Sequence, residues 1–293
     1  MLFCFVPLIF LSSTYGYQYK NIIILAGQSN MSGRGGVINE TWDGFIPPQS
    51  KSNPSVLRLS AGLTWIEAEE PLHKDIDINK TCGVGPGLAF ANYVLSKDPK
   101  QGPIGLVPCA IGGTSIAEWA RGGFLYNQMA KRAKAAFLDG GTIRAILWYQ
   151  GESDTVTKEE ADRYGERLER FIDDVRSDLQ LPTIPFIQVA LATAMGPYID
   201  IVRGAQLGMD LPNVQCVDAK GLALEPDQLH LSTPSQVKLG EMLGDAFVGT
   251  ISSPLHSLAP TKPIPYLDFQ HCFGSGPLLR ILWMVLLYGL FHQ

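Results

Sequence analysis

The run Gly27-Gln28-Ser29-Asn30-Met31 follows directly on Asn21-Ile22-Ile23-Ile24-Leu25-Ala26, a buried-strand pattern. A serine on the turn that leaves a strand, among small and amide-bearing neighbours, stands where an α/β protein exposes a nucleophile. Its hydroxyl is a weak nucleophile at neutral pH and needs an imidazole to take its proton. Near the other end of the chain, Asp227-Gln228-Leu229-His230 offers that imidazole three positions after an acid that can fix its tautomer. Nucleophile, base and orienter together are the groups that acyl transfer requires.

Other residues could serve the same chemistry. Gly112-Gly113 lets backbone N–H groups approach a carbonyl oxygen that gains charge, and Gln150, ending the apolar run Ala145 to Tyr149, could add a side-chain donor. Glu152 and Asp154 bring carboxylates to the same region. Glu152 is an alternative acid behind His230, or, with Asp227, half of a glycosidase pair flanking a sugar bond. Ser115 and Ser153 also follow strands and compete with Ser29, and no G-x-S-x-G elbow occurs. Asn30, Arg34, Glu118 and Trp119 are candidate substrate contacts. With Arg121, the charged ones make the edge too polar for an apolar acyl channel, which a lipase-like esterase would want.

The elements that must position these groups alternate. Strands are expected at Ile22 to Ala26, Ile104 to Pro108, Ile143 to Tyr149, Ile184 to Leu191 and Val214 to Val217. Helices are expected around Gly87 to Ser96, Leu125 to Leu138, Lys158 to Leu179, Tyr198 to Met209 and Pro234 to Val248. The alternation predicts an α/β fold with a parallel sheet of five strands covered on both faces. Val37 to Lys80 lacks periodicity and reads as long loops with a short hairpin near Val56 to Glu67. Every polar cluster then falls at the carboxyl edge of the sheet, where open α/β sheets bind ligands.

Composition bounds the rest. The 293 residues suit one large domain, taken as 17–252; 46% hydrophobic and 17% charged residues describe an ordinary globular chain. A net charge of −5 gives no reason to expect nucleic acid. The histidines and five cysteines lack zinc-site spacing, and no metal or organic cofactor is called for. Residues 1–16 read as a short secretory signal, with a cytoplasmic protein as the alternative. Without Cys4, four cysteines permit disulfides, and Asn39-Glu40-Thr41 and Asn79-Lys80-Thr81 are glycosylation sequons. Residues 253–293 form a proline-rich linker and an apolar tail. Leu278 to Phe291 is shorter than the ~20 residues that span a bilayer, so membrane contact through it is the minor reading.

Four blocks together carry a resemblance: Gly27-Gln28-Ser29-Asn30-Met31-Ser32-Gly33-Arg34-Gly35-Gly36, Gly112-Gly113-Thr114-Ser115, Trp148-Tyr149-Gln150-Gly151-Glu152-Ser153-Asp154 and Asp227-Gln228-Leu229-His230. They resemble plant carbohydrate esterases with the sialate-O-acetylesterase-like domain, within the SGNH hydrolase superfamily, over about residues 20–250. The resemblance implies a flavodoxin-like three-layer α/β/α fold and a triad of Ser29, Asp227 and His230. It also implies an oxyanion site built from the Ser29 and Gly112 amides, and an acetylated carbohydrate as substrate. The first block reads G-Q-S in place of the superfamily's G-D-S, and Gln150 replaces the asparagine of its third block. Some relatives take the triad acid from the third block, which keeps Glu152 beside Asp227. The rival from another class is a catalytically silent carbohydrate-binding protein on the same fold.

Overall fold

In the computed structural model, residues 19–192 and 196–252 are described. The expected secretory segment 1–16 and the tail 253–293 lie outside them. Strand β1 (Lys20–Gly27) is the axis of the molecule. Its Ile22 to Ala26 are completely buried because β1 has a strand on each side and apolar cover on both faces. A one-turn helix α1 (Ser29–Ser32) follows at once. Next come a two-residue hairpin, β2 (Val37–Ile38) and β3 (Thr41–Trp42), and a second hairpin, β4 (Val56–Leu59) and β5 (Trp65–Glu67). From there strands and helices alternate: α2 (Pro86–Lys97), β6 (Ile104–Pro108), α3 (Phe124–Leu138), β7 (Gly141–Tyr149), α4 (Lys158–Leu179), β8 (Phe186–Ala190), α5 (Ile199–Leu207), β9 (Val214–Asp218) and α6 (Thr233–Ser252).

The main sheet has seven strands in the order β5-β4-β6-β1-β7-β8-β9, parallel except for β5. The expectation of five strands is corrected on one side only. The hairpin near Val56 to Glu67 does not lie apart in a loop: Val56 pairs with Ile104, and β5 runs antiparallel on the outside. A hairpin's position is written in its own residues, but its pairing partner is not. Here the partner is stitched on by Arg132 of α3. That buried guanidinium donates to the carbonyls of Pro108 (2.8 Å), Ser60 (2.9 Å) and Leu59 (2.6 Å), satisfying strand-end groups of β6 and β4 together.

The chain leaves β1 for the β6 side and crosses back to β7, so the direction of winding reverses beside β1. Open α/β sheets bind ligands at such a switch point, here outside the carboxyl ends of β1 and β7. Gly27 makes the exit tight. At φ +125° it lies so close to β7 that a Cβ would sit 2.1 Å from the Tyr149 carbonyl oxygen, while Gln28 N–H donates to that same oxygen at 2.8 Å.

The helices pack in two sets, α2 against α6, and α3 and α5 against α4. Helix α6 matters most to the site, because it begins three residues after His230. Its Gly240 rests on α2 so closely that a Cβ would meet Pro86 O at 2.6 Å and Ala89 Cβ and Phe90 N at 2.8 Å. Among the described residues, Cys82, Cys109 and Cys216 are free thiols, and no helix is long and apolar enough to cross a membrane.

Helix propensity and packing oppose each other at Gly240. Alanine gains about 1 kcal/mol of intrinsic helix propensity, but the backbone of α2 cannot yield as a side chain would. Gly240→Ala is therefore expected to destabilise the domain by about 1–3 kcal/mol. A urea midpoint equal to or above the wild-type value would show that α2 and α6 can separate without cost.

Candidate active site

The turn that carries Ser29 is held from behind. Gln28 O accepts from Met31 and Ser32 N–H (2.9 Å each), and Ser29 O accepts from Gly33 N–H at 2.9 Å. Ser29 is left with Oγ facing a cleft of about 400 Å³, and its own N–H has no partner among the described residues. Across the cleft mouth, the segment between β9 and α6 folds back on itself through Glu225 N–H to His230 O (2.7 Å) and Ser232 N–H to Ala223 O (3.0 Å).

Ser29 Oγ and His230 Nε2 lie 3.0 Å apart, and His230 Nδ1 lies 2.6 Å from Asp227 Oδ2. A carboxylate only accepts, so Nδ1 carries the ring proton and Nε2 presents a lone pair to the Ser29 hydroxyl. The other Asp227 oxygen accepts from the backbone N–H of Leu229 (2.9 Å) and His230 (3.0 Å). Burial pushes the Asp227 carboxyl up, but those N–H groups and the imidazole outweigh it and hold it below the usual range. Burial likewise lowers His230, with Asp227 opposing, so the ring is a neutral base at neutral pH.

Glu152 is placed differently. It lines the cleft, but its Oε1 accepts from Asn30 Nδ2 at 2.7 Å, not from the imidazole. Burial raises its carboxyl to about 7, and its Oε2 has no partner among the described residues. With both Asp227 oxygens engaged by His230 and backbone, no free carboxylate pair is set for the glycosidase reading. Asn30, expected to touch substrate, is completely buried. Its amide donates to Leu229 O (3.2 Å) and accepts from Leu231 N–H (2.9 Å), gripping the residues on both sides of His230.

Gln150 is also redirected. It is wholly buried, and its NH₂ donates to Asp154 Oδ2 (2.6 Å), Thr114 O (2.9 Å) and Gln28 Oε1 (3.3 Å). The amide expected at the oxyanion faces inward, since burial at a strand end requires it to satisfy protein groups first. The neighbouring amide takes the wall instead. Gln28 Oε1 is fixed by the N–H groups of Gly151 (3.2 Å) and Ser153 (3.4 Å), so its NH₂ is turned the other way and has no partner among the described residues. Gln28 lines the cleft directly beside Ser29. The signal was there at the sequence position where the first block departs from G-D-S.

The double glycine lines the cleft as expected, with one difference. Gly112 N–H donates to Asp77 Oδ2 at 3.1 Å, whereas Gly113 N–H (φ +78°) has no partner among the described residues. Of the other candidate contacts, only Arg34 lines the cleft, and it is ion-paired to Asp77 at 2.5 Å. Trp119 is core: its ring meets Trp148 edge-on at 5.2 Å and Phe171 at 6.1 Å. Glu118 caps its own 3-10 turn through Ser115, and Arg121 pairs with Asp174 and Asp178. Ser153 lines the cleft, but the ring nitrogen that faces a serine faces Ser29. Lys80, Thr155, Val156 and Gly196 complete the walls.

The arrangement can deprotonate a serine, hold a developing oxyanion with unpaired N–H donors and return the proton to a leaving oxygen. Comparison with known proteins identifies the family. Residues 19–249 match the family model "Carbohydrate esterase, sialic acid-specific acetylesterase". The chain is 54% identical over 236 residues to "Probable carbohydrate esterase At4g34215" of Arabidopsis thaliana, covering 78% of this chain and 90% of that one. The X-ray structure of the Arabidopsis thaliana protein of that locus superposes with a TM-score of 0.77 at 53% identity, over 79% of this chain and 98% of that one. A carbohydrate acetylesterase from Xanthomonas citri shares the fold at 20% identity, with a TM-score of 0.56 over 77% of this chain and 55% of that one. The chain belongs to the carbohydrate esterase family of sialic acid-specific acetylesterases and is a carboxylic ester hydrolase.

Proposed function

We propose that the protein removes acetyl groups from a carbohydrate through a Ser29-His230-Asp227 triad and an acyl-enzyme, on a three-layer α/β/α scaffold. The observation that carries this reading is the continuous relay from Ser29 Oγ to His230 at 3.0 Å and on to Asp227 at 2.6 Å. As Oγ attacks the ester carbonyl, its proton passes to His230 Nε2. The oxyanion accepts hydrogen bonds from donors the cleft leaves unpaired: the Ser29 and Gly113 amides and the Gln28 NH₂. On collapse His230 gives its proton to the sugar oxygen, which departs as a hydroxyl, and the acetyl group stays on Ser29. Water then attacks the acetyl-enzyme with His230 again as base; acetate leaves and Ser29 is restored. The family match supports a carbohydrate ester over a long-chain acyl ester as substrate. For localisation, the apolar run Leu2 to Leu11 supports secretion with removal of the first sixteen or so residues.

Four outcomes are expected. Ser29→Ala should abolish hydrolysis of an acetyl ester and labelling by a serine-directed phosphonate; full activity in that variant would sink the mechanism. Asp227→Asn should lower kcat by about ten-thousand-fold, and Glu152→Gln by no more than about tenfold, so the reverse order would move the acid to Glu152. Because burial lowers His230, the acid limb of kcat/KM should lie below the ordinary histidine value of 6.5, with activity lost as falling pH protonates the ring. A limb above 6.5 would mean another base. N-terminal sequencing of the protein purified from its native tissue should begin near residue 17, and an intact Met1 would contradict secretion.

A further inference from the structure

Asp77 lies in none of the blocks that carry chemistry, in the stretch without periodicity, and yet it reaches the nucleophile's neighbourhood. It is 2% exposed and Arg34 5%. One oxygen, Asp77 Oδ2, accepts from Ser32 Oγ (2.9 Å), from Arg34 Nη2 (2.5 Å) and from Gly112 N–H (3.1 Å). Arg34 Nη1 in turn donates to Ser32 Oγ (2.6 Å) and Gly33 O (2.8 Å). The carboxylate thus joins the loop after β1 to the loop after β6 through a third segment. Gly112 is wedged in the joint: a Cβ there would lie 2.5 Å from Arg34 Nη2, 3.1 Å from Asp77 Oδ2 and 3.5 Å from Ser29 Cβ.

We propose that Asp77 is a positioning residue for the oxyanion side of the site, acting with Arg34 through the Gly112 amide. This rests on the reading of Ser29 as nucleophile. Burying an ion pair is costly, and apolar residues of similar volume would fill the space as well. What they would lack is a charged acceptor for the Gly112 N–H. Held by Asp77, Gly112 cannot rotate its amide toward the cleft, and the next amide, that of Gly113, is the one left unpaired at the wall. The same carboxylate offsets the charge of Arg34, which would otherwise act in full on His230. The charged and titratable groups around that ring are Asp227, Arg34 and Glu225, with Glu152 and Lys80 in the cleft walls.

The test compares Asp77→Asn, Arg34→Gln and the double variant, which leaves neither charge buried alone, with wild type and Ser29→Ala, each checked by near-UV circular dichroism. In a correctly folded double variant, kcat on an acetyl ester should fall about 10- to 100-fold with KM within about threefold, the mark of an interaction made mainly in the transition state. The acid limb of kcat/KM should move to lower pH in Asp77→Asn, where Arg34 is unopposed, and to higher pH in Arg34→Gln. A purely structural loss would not move the limb in opposite directions. Wild-type kcat in the double variant, or a loss confined to KM with the limb unmoved in both single variants, would overturn the proposal. Activity in Ser29→Ala would instead overturn the reading beneath it.

Discussion

Everything chemical in this molecule depends on one buried amide. Asn30 follows Ser29 in the chain, and its side chain bonds to Leu229 and Leu231, the two residues that flank His230. Its backbone oxygen also accepts from Gln236 Nε2 of α6 at 3.2 Å. A neutral side chain with donor and acceptor in a fixed fork can grip both backbone polarities of a neighbouring segment, which an acceptor-only carboxylate cannot. The segment so gripped carries His230, whose Nε2 lies 3.0 Å from Ser29 Oγ. Catalytic geometry of this kind tolerates errors of only a fraction of an ångström. The site is therefore built on the rigid carboxyl edge of the sheet and braced from within.

Behind the brace lies a layer of acids kept away from water. Burial raises Glu152 to about 7 and Asp154 to about 6. Asp154 is satisfied by the Ile116 N–H (3.1 Å) and the Gln150 amide (2.6 Å), which links the loop after β6 to the loop after β7. Each link is a hydrogen bond in a low-dielectric setting, where breaking one leaves a group unsatisfied and costs more than making it gained. The two glutamines divide the work accordingly. Gln150 spends its NH₂ on this inner network, and Gln28 spends its oxygen there, leaving an NH₂ at the wall.

Much of this was legible in the residues. Strand and helix positions follow from periodicity, and α4 begins at Lys158 and ends at Leu179 as the pattern implies. The hairpin near Val56 to Glu67 was visible, but its membership of the sheet was not, because register depends on what Arg132 and β6 offer from elsewhere. Ser29 stands out by residue type and by its place at a strand end, and Asp227 and His230 by residue type and their three-residue spacing. Direction is what the linear pattern hides. Nothing in Trp148 to Asp154 tells which way the Gln150 amide turns, nor that Trp119 fills the core. Asp77 sits among residues without periodicity and becomes significant only when three loops converge on it.

The partners of the relay stand 201 positions apart. At a synthesis rate of about 5–20 residues per second, Ser29 precedes His230 out of the ribosome by roughly 10–40 s. On the proposed mechanism, the nascent chain in that interval holds its nucleophile without its base. Contacts of such long sequence separation also form late in folding, since the chain must be closed into a loop before they return any energy. On that mechanism hydrolytic competence arrives with the last helix, and recovery of activity reports that the whole domain has closed.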